Sequence, residues 1–135
     1  MSALPFRAFA DSNVVIYAAS YEEEKASRAE QVLRTSIVSV QVLNETTRAL
    51  RYKLKCSWRK IDAYLQSVRA FCPVVPLTIE THDLGRHIAE RYQLQFFDAL
   101  IAASALLAKC DTLYSEDMQH GLLLEEQLRV VNPFA

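Results

Sequence analysis

The sequence predicts an α/β fold: a three-layer α/β/α domain with a mainly parallel central sheet of four to five strands. Short apolar segments of strand length alternate with helical segments along the chain, an order that is typical of parallel sheets with helical crossovers. The chain has 135 residues, about half of them apolar, and only two glycines, Gly85 and Gly121. Nothing marks an internal linker, so we expect one domain spanning residues 1–135.

The first half of the chain contains two predicted strands and three helical segments. Residues 6–10 form a mostly apolar segment of strand length, and residues 13–19 follow as a brief helix or turn. The helix over residues 22–33 begins with three glutamates, which suit a helix N-terminus, and its apolar residues recur at helical spacing. Residues 37–39 are strand-like, and a helical stripe then runs from residue 40 to about residue 56.

The next two helices have recognisable boundaries. Ser57 is the expected N-cap of a helix that Pro73 ends. Residues 74–77 are a buried strand. Thr78 then opens a helix that continues through Tyr92, with apolar residues at helical spacing.

The most apolar helix is expected to open at Asp98. Residues 99–108 contain a single hydroxyl group, and a helix that is apolar on all sides must be covered on all sides. We therefore place this helix in the middle of the molecule. Residues 112–115 and 129–131 complete the predicted strands.

The charge of the chain is balanced overall but uneven along the sequence. The formal net charge of −1 argues against a protein that coats nucleic acid through a large basic excess. A stretch between positions 48 and 69 nevertheless holds seven of the fifteen basic residues and one acid, Asp62. It is either a solvated outer face or a phosphate-contacting rim. The seven are Arg48, Arg51, Lys53, Lys55, Arg59, Lys60 and Arg69.

The cysteines and the hydropathy pattern predict a compartment. Cys56, Cys72 and Cys110 are odd in number and lack any Cys-x-x-Cys spacing, and such thiols are typical of a reducing environment. The N-terminus has no signal-peptide pattern, and no apolar run reaches the roughly 18 residues needed to span a membrane. We expect a cytoplasmic protein that does not associate with membranes.

Four carboxylates stand alone at the ends of apolar segments or in a helical stretch: Asp11, Glu45, Asp98 and Asp117. An isolated buried carboxylate is costly to keep ionised, so several that converge need a hard cation to hold them together. Asp11 and Asp117 follow predicted strands, and ligands of parallel sheets bind beyond the carboxyl ends of strands. The pattern predicts one acidic pocket, whose four charges two Mg²⁺ ions would balance.

Each carboxylate also has an ordinary structural explanation. Asp98 could be the N-cap of its helix, Asp11 could cap the helix after it, and Asp117 could be a turn residue ahead of Gly121. Glu45 lies away from the apolar stripe of its helix, on a side that faces either solvent or a pocket. Independent caps need not fall at one edge of one sheet, which favours the shared pocket.

Five motifs in this order resemble the PIN domain and, within it, the VapC-type ribonuclease toxins of bacterial toxin–antitoxin pairs. They are residues 9–18 with Asp11-Ser12-Asn13, the pair Asn44-Glu45, residues 97–105 with Asp98, residues 113–121 with Ser115 and Asp117, and the tail 130–134. Ser12 and Ser115 stand where threonine is commoner, and the hydroxyl is kept in both. Glu116 neighbours Asp117, but the spacing from Ser115 favours Asp117 as the matching acid.

The resemblance implies a single PIN domain over residues 1–135 that cleaves RNA phosphodiester bonds with Mg²⁺ or Mn²⁺ and water as nucleophile. It implies that the four acids named above are the catalytic and metal-binding residues. Asn13 and Ser115 would hydrogen-bond these carboxylates and fix their orientation. The candidate RNA contacts are Arg48, Arg51, Lys53 and Lys55.

The resemblance also implies two protein partners. One is a cognate antitoxin whose C-terminal segment occludes the site, and the other is a second copy of the chain in a homodimer. Tyr17, Tyr21, Trp58 and Tyr64 are candidate contacts, although core packing explains most of them equally well. The alternative to a nuclease is a non-catalytic PIN-like module that binds RNA or a protein.

Overall fold

A computed structural model describes residues 6–135. Residues 1–5 lie outside this part of the chain. They hold the start of the predicted domain and of the N-terminal segment for which no signal peptide was predicted. Six strands are found within residues 6–135: β1 (Ala8–Ala10), β2 (Ser36–Ser39), β3 (Val74–Val75), β4 (Thr112–Tyr114), β5 (Leu123–Leu124) and β6 (Leu128–Val131). The α-helices of the same residues are α1 (Ser12–Ala18), α2 (Glu23–Leu33), α3 (Val40–Arg48), α4 (Trp58–Phe71), α5 (Ile79–Tyr92) and α6 (Phe96–Leu107).

The strands form one sheet in the order β3-β2-β1-β4-β6-β5. Neighbouring strands are parallel from β3 to β6, with Ala8 of β1 in register with Ser36 of β2 and Thr112 of β4. The predicted α/β fold with a mainly parallel sheet is therefore confirmed. The order places β1 and β4 side by side at the centre, so the chain just after each of them emerges at the same edge of the sheet.

The sheet has six strands instead of the predicted four to five, because β5 was missed. Its two residues pair antiparallel with β6, and Leu124 lies opposite Leu128. A two-residue strand is too short to show an alternating pattern, and only its pairing with β6 defines it. Three predicted strands are also shorter than expected: β1 begins at Ala8, β3 ends at Val75 and β4 ends at Tyr114.

The buried helix α6 begins two residues earlier than predicted. Its N-cap is Gln95, whose side chain accepts hydrogen bonds from the backbone N–H groups of Phe97 and Asp98 at 2.9 and 3.2 Å. Asp98 therefore lies in the first turn and is not the cap. The predicted central position of the helix is confirmed, because every residue from Ala99 to Leu106 is buried.

The predicted helical stripe from residue 40 to residue 56 is divided in two. Helix α3 is capped by Ser39, whose Oγ accepts from the backbone N–H of Val42 at 3.2 Å. It continues into a π-helical segment, Ala49–Lys53, which ends where the N–H of Leu54 donates to the carbonyl of Ala49 at 3.0 Å. The period of the side chains changes at this point, so the apolar stripe does not run straight into residue 54.

The core is built around the central strands and α6. Phe9, Ile37, Ile101 and Leu113 are wholly buried within it. Cys72 and Cys110 are buried free thiols, and desolvation raises the pKa of each to about 11. Among residues 6–135, no helix combines the length and the apolar character that crossing a membrane requires.

Candidate active site

Asp11 lies at the end of β1, the strand at the middle of the sheet, and is wholly buried. It is the N-cap of α1: its Oδ1 accepts from the backbone N–H of Ser12 at 2.7 Å. Its Oδ2 accepts from Ser115 Oγ at 2.6 Å and from Asn13 Nδ2 at 3.3 Å. Desolvation raises the pKa of Asp11 to about 7, although the hydrogen bonds from Ser115 and Ser12 act in the opposite direction.

Asp117 is joined to Asp11 through two shared hydrogen-bond partners. Asn13 Nδ2 donates to Asp117 Oδ2 at 3.2 Å as well as to Asp11, and Asn13 Oδ1 accepts from the backbone N–H of Glu116 at 3.3 Å. Ser115 Oγ donates to Asp11 and accepts from the backbone N–H of Asp117 at 3.2 Å. The loop after β4 is thus fixed to the start of α1, and Asp117 itself is exposed.

Glu116, the neighbouring acid, is held by a different pair of residues. The hydroxyl of Tyr17 donates to Glu116 Oε2, and Lys25 Nζ lies 3.2 Å from Glu116 Oε1. The ammonium group of Lys25 also lies 3.9 Å from the centre of the Tyr17 ring. Both oxygens of Glu116 are therefore engaged outside the network of Asp11, and Asp117 is the acid that shares partners with it.

The side chain of Glu45 is half-buried and points toward α1. Its Oε1 accepts from Ser12 Oγ at 2.9 Å and its Oε2 accepts from Gln41 Nε2 at 3.0 Å. Ser12 Oγ also lies 3.4 Å from Asp11 Oδ1, so one hydroxyl links the two acids. Sequence reasoning assigned Ser12 no place in the site. The signal for it was its position between Asp11 and Asn13, and the partner Glu45 became visible only with the packing of α3.

Asp98 enters the same electrostatic cluster from the first turn of α6, where it is half-buried. Desolvation and the negative charges of Asp117 and Glu45 raise the pKa of Asp98 to about 6. The charges of Asp98 and Glu45 in turn contribute to the raised pKa of Asp11. The pKa values of Asp11 and Asp98 therefore depend on the other acids predicted from the sequence.

The arrangement does not form a closed metal cage. Within residues 6–135, no three His, Cys, Asp or Glu side chains are placed so that they could together hold one ion. The available donors are nevertheless all carboxylate, hydroxyl or amide oxygens, which hard cations prefer. Mg²⁺ commonly keeps several of its waters and uses only one or two protein carboxylates. The donor set therefore fits a hydrated hard cation better than a fully protein-ligated one.

A surface groove of about 620 Å³ runs beside the acids. Ser12, Glu45 and Asp98 form part of its wall, together with Arg48 and Lys53. These two are the members of the predicted RNA-contacting set that lie at the groove.

The other two members of that set lie elsewhere. Arg51 Nη1 donates to the carbonyl of Cys56 at 3.1 Å, and its guanidinium lies 5.1 Å from the ring of Trp58. Lys55 is exposed in the connection to α4, with a φ of 57°, and is not part of the groove wall. The basic stretch is thus partly a groove wall and partly an outer face.

The fold and the site together define a class: α/β domains with a parallel sheet and an acidic groove where the central strands end. Within this class, a PIN domain family model matches residues 8–121, which include all four acids. The chain belongs to the PIN domain family. The resemblance seen in the motifs is confirmed at the level of the family.

Solved structures with the same fold include components of toxin–antitoxin systems. A toxin–antitoxin complex from Klebsiella pneumoniae matches with a TM-score of 0.71 and 17% identity, over 93% of this chain and 97% of that chain. VapC20 of Mycobacterium tuberculosis, a toxin that cleaves the sarcin–ricin loop, matches with a TM-score of 0.66 and 18% identity, over 82% of this chain and 89% of that chain. VapBC2 from Rickettsia felis, bound to a promoter DNA fragment, matches with a TM-score of 0.60 and 16% identity, over 91% of this chain and 96% of that chain. No curated protein sequence matches.

Proposed function

We propose that this PIN domain is a metal-dependent ribonuclease and the toxin of a toxin–antitoxin pair. The observation that carries the proposal is the hydrogen-bonded network of Asp11, which shares Ser115 and Asn13 with Asp117 and shares Ser12 with Glu45. Like charges gathered around the buried Asp11 at the end of β1 oppose folding and serve no packing purpose. Their presence together is explained by a positively charged ligand.

The chemistry that a bound Mg²⁺ or Mn²⁺ supplies is activation of water and neutralisation of charge on the phosphate. Asp11, the most deeply buried acid, is fixed by three neighbouring residues and would hold such an ion in one place. Asp98 presents further oxygens in the groove wall, and the exposed Asp117 would add its own next to Asp11, with which it shares Asn13 and Ser115. Glu45, positioned by Ser12 and Gln41, is a ligand or orients the attacking water.

The partners in this proposal follow from the similar structures. The Klebsiella and Rickettsia structures are toxin–antitoxin assemblies and VapC20 is an RNA-cleaving toxin, which supports an antitoxin partner and an RNA substrate here. We include a homodimer and a cytoplasmic location in the proposal. Tyr21 and Trp58 are exposed and remain candidate contacts. Tyr17 and Tyr64 donate their hydroxyls to Glu116 and to the carbonyl of Val15, so internal hydrogen bonds account for them.

The test is cleavage of total small RNA by the purified protein with Mg²⁺, with Mn²⁺ and with EDTA. Asp11→Asn and Asp98→Asn are run beside Asp111→Asn, which alters an exposed acid that pairs with Arg7 at 3.7 Å. We expect the wild type and Asp111→Asn to cut only with metal. The other two variants should lose at least about 100-fold in rate, because loss of a ligand exceeds the 10- to 100-fold cost of losing its supporting partners.

Two results would contradict the proposal. If Asp11→Asn and Asp98→Asn cut as fast as the wild type, the activity comes from a contaminant and the assignment of the acids fails. If the wild type cuts no RNA with either metal, the non-catalytic module that binds RNA or a protein becomes the better description.

A further inference from the structure

Two aromatic side chains are exposed in the wall of the acidic groove. Tyr52 is 69% exposed and Phe97 is 49% exposed. Both line the groove together with Glu45 and Asp98, and Phe97 directly precedes Asp98 in the chain. An aromatic ring left in water forfeits the stabilisation that its burial would give. Two such rings at one groove therefore mark a surface that is completed by something else.

Each exposed ring is in contact with a second aromatic ring. Tyr52 meets Trp58 edge to face, with ring centres 6.5 Å apart and planes at 84°. Phe97 lies beside Phe96 at 5.8 Å, and Phe96 in turn contacts His82 at 5.9 Å. A supported ring with only two side-chain torsions loses little entropy when a flat ligand binds against it.

Cationic side chains stand next to these rings. Arg48 and Lys53 line the same groove, and Lys53 is the immediate neighbour of Tyr52 in the π-helical segment. π-helical backbone is rare and recurs at functional sites. Cations next to aromatic platforms are the combination that binds single-stranded nucleic acid, with phosphates at the cations and bases on the rings. In this groove Arg48 and Lys53 supply the cations, and Glu45 and Asp98 supply the acidic part of the wall.

We infer that Tyr52 and Phe97 form a base-stacking subsite for unpaired nucleotides of RNA beside Glu45 and Asp98. Arg48 and Lys53 contact the adjoining phosphates. The faces of a base inside a continuous duplex are covered by its neighbours, so the subsite takes nucleotides from single strands, loops or bulges. The inference rests on the proposed function for the cleavage step, but the stacking itself is a binding property that is measurable without cleavage.

The test measures binding in EDTA at low ionic strength, where no hydrolysis is expected. The probe is a fluorescein-labelled oligoadenylate of about ten nucleotides, a length within the usual range for single-strand grooves. A strand of the same length that contains only abasic residues is the second probe. Fluorescence anisotropy gives the affinity of each probe for the wild type, Tyr52→Ala, Phe97→Ala, Tyr52→Phe and Phe71→Ala. Phe71 is the matched control, since it is an aromatic residue that is 56% exposed and does not line the groove.

We expect Tyr52→Ala and Phe97→Ala each to weaken oligoadenylate binding about tenfold, the usual effect of removing one stacking ring. Tyr52→Phe keeps the ring and should bind as the wild type does, and so should Phe71→Ala. The abasic strand should bind all five proteins alike. This dependence on the base is the readout that a purely structural role of the rings would not change.

If Tyr52→Ala and Phe97→Ala bind both probes with equally reduced affinity, the inference is overturned, because the rings would then act on the shape or charge of the groove. If neither probe loses affinity, the inference is also overturned, and a protein segment becomes the better candidate ligand of the groove. Failure of the proposed function is a separate result. Base-dependent binding by a wild-type protein that cuts no RNA with Mg²⁺ or Mn²⁺ would keep the subsite and remove the nuclease.

Discussion

At the scale of single residues, the buried Asp11 carboxyl makes the stability of the metal-free protein depend on pH. Its pKa of about 7 in the folded protein lies above the ordinary value of 3.8. Between these values the folded state binds more protons than the unfolded state, so stability falls as pH rises from about 4 to about 7. Asp98, with a pKa of about 6, contributes in the same direction.

We therefore expect Asp11→Asn to be more stable than the wild type at pH 8 in EDTA, by on the order of a few kcal/mol. Asparagine carries no buried charge and keeps one oxygen that accepts from the backbone N–H of Ser12, but it presents an N–H₂ donor toward Ser115 and Asn13, which offsets part of the gain. Urea denaturation at pH 4.5 and pH 8 measures the difference, with Asp111→Asn as the control that should follow the wild-type profile. If the stability of Asp11→Asn falls between pH 4.5 and pH 8 as much as that of the wild type, another group is responsible for the pH dependence.

We expect the hydroxyl of Ser115 to contribute more to the stability of the fold than the hydroxyl of the buried Ser104. Ser115 Oγ donates to Asp11 and accepts from the N–H groups of Asp117 and Met118, whereas the buried Ser104 Oγ has no partner within the described residues. We expect Ser115→Ala to cost about 1–3 kcal/mol and to lower cleavage, since it leaves buried polar groups unsatisfied. Ser104→Ala, measured in the same urea titration, should be neutral or stabilising. Equal costs in the two variants would contradict the role given to Ser115.

At the scale of elements, the contact between α5 and α6 positions Asp98. Gly85 of α5 lies against Leu100 of α6, and a Cβ at Gly85 would come 2.7 Å from Leu100 Cδ2 and 3.5 Å from Leu100 Cα. We expect Gly85→Val to destabilise the protein by about 1–3 kcal/mol through overpacking and to reduce cleavage, because α6 must shift. Gly85→Ala should cost much less, since the end of the Leu100 side chain can rotate away and alanine favours the helix.

Unfolding in urea and the cleavage rate are the two measurements for this pair. Leu100→Ala combined with Gly85→Val supplies the control, because removing the isobutyl group makes room for valine and should recover part of the loss. If the double variant is as unstable as the sum of the single variants, the two positions do not meet in the way described.

Much of the arrangement of elements was predictable, and the differences have local causes. The helix over residues 57–72 and the strands β2 and β6 followed from caps, prolines and apolar runs. The start of α6 did not, because glutamine is an uncommon N-cap and the sequence offers Asp98 as a better one. Glu45 was undecided for a different reason. The side of α3 that carries Glu45 faces the hydroxyl of Ser12, which belongs to another helix. The periodicity of α3 alone carries no information about that contact.

At the scale of the whole molecule, the site depends on chain segments that are distant in sequence. Asp11 and Ser115 are 104 positions apart and meet because β1 and β4 are parallel neighbours. That these two strand ends would lie at the same edge of the sheet was predictable from the alternating strands and helices, since parallel strands end at one edge. The choice of Arg48 and Lys53 from seven basic residues was not, because it depends on how α3 and its π-helical segment turn toward the groove.

The balanced charge of the molecule also predicts how RNA binding responds to salt. With a net charge of −1, attraction to phosphate must come from local cations, and only Arg48 and Lys53 of the seven basic residues named above line the groove. Each phosphate contact on a single strand contributes about −0.7 to the slope of log K against log salt concentration. We expect Arg48→Gln and Lys53→Gln each to reduce the slope for oligoadenylate by about that amount. Arg69→Gln, on an exposed position of α4 outside the groove wall, should leave it unchanged. Anisotropy titrations over a range of KCl concentrations measure the slopes, and a similar reduction in all three variants would mean that the whole basic stretch attracts RNA as a diffuse surface.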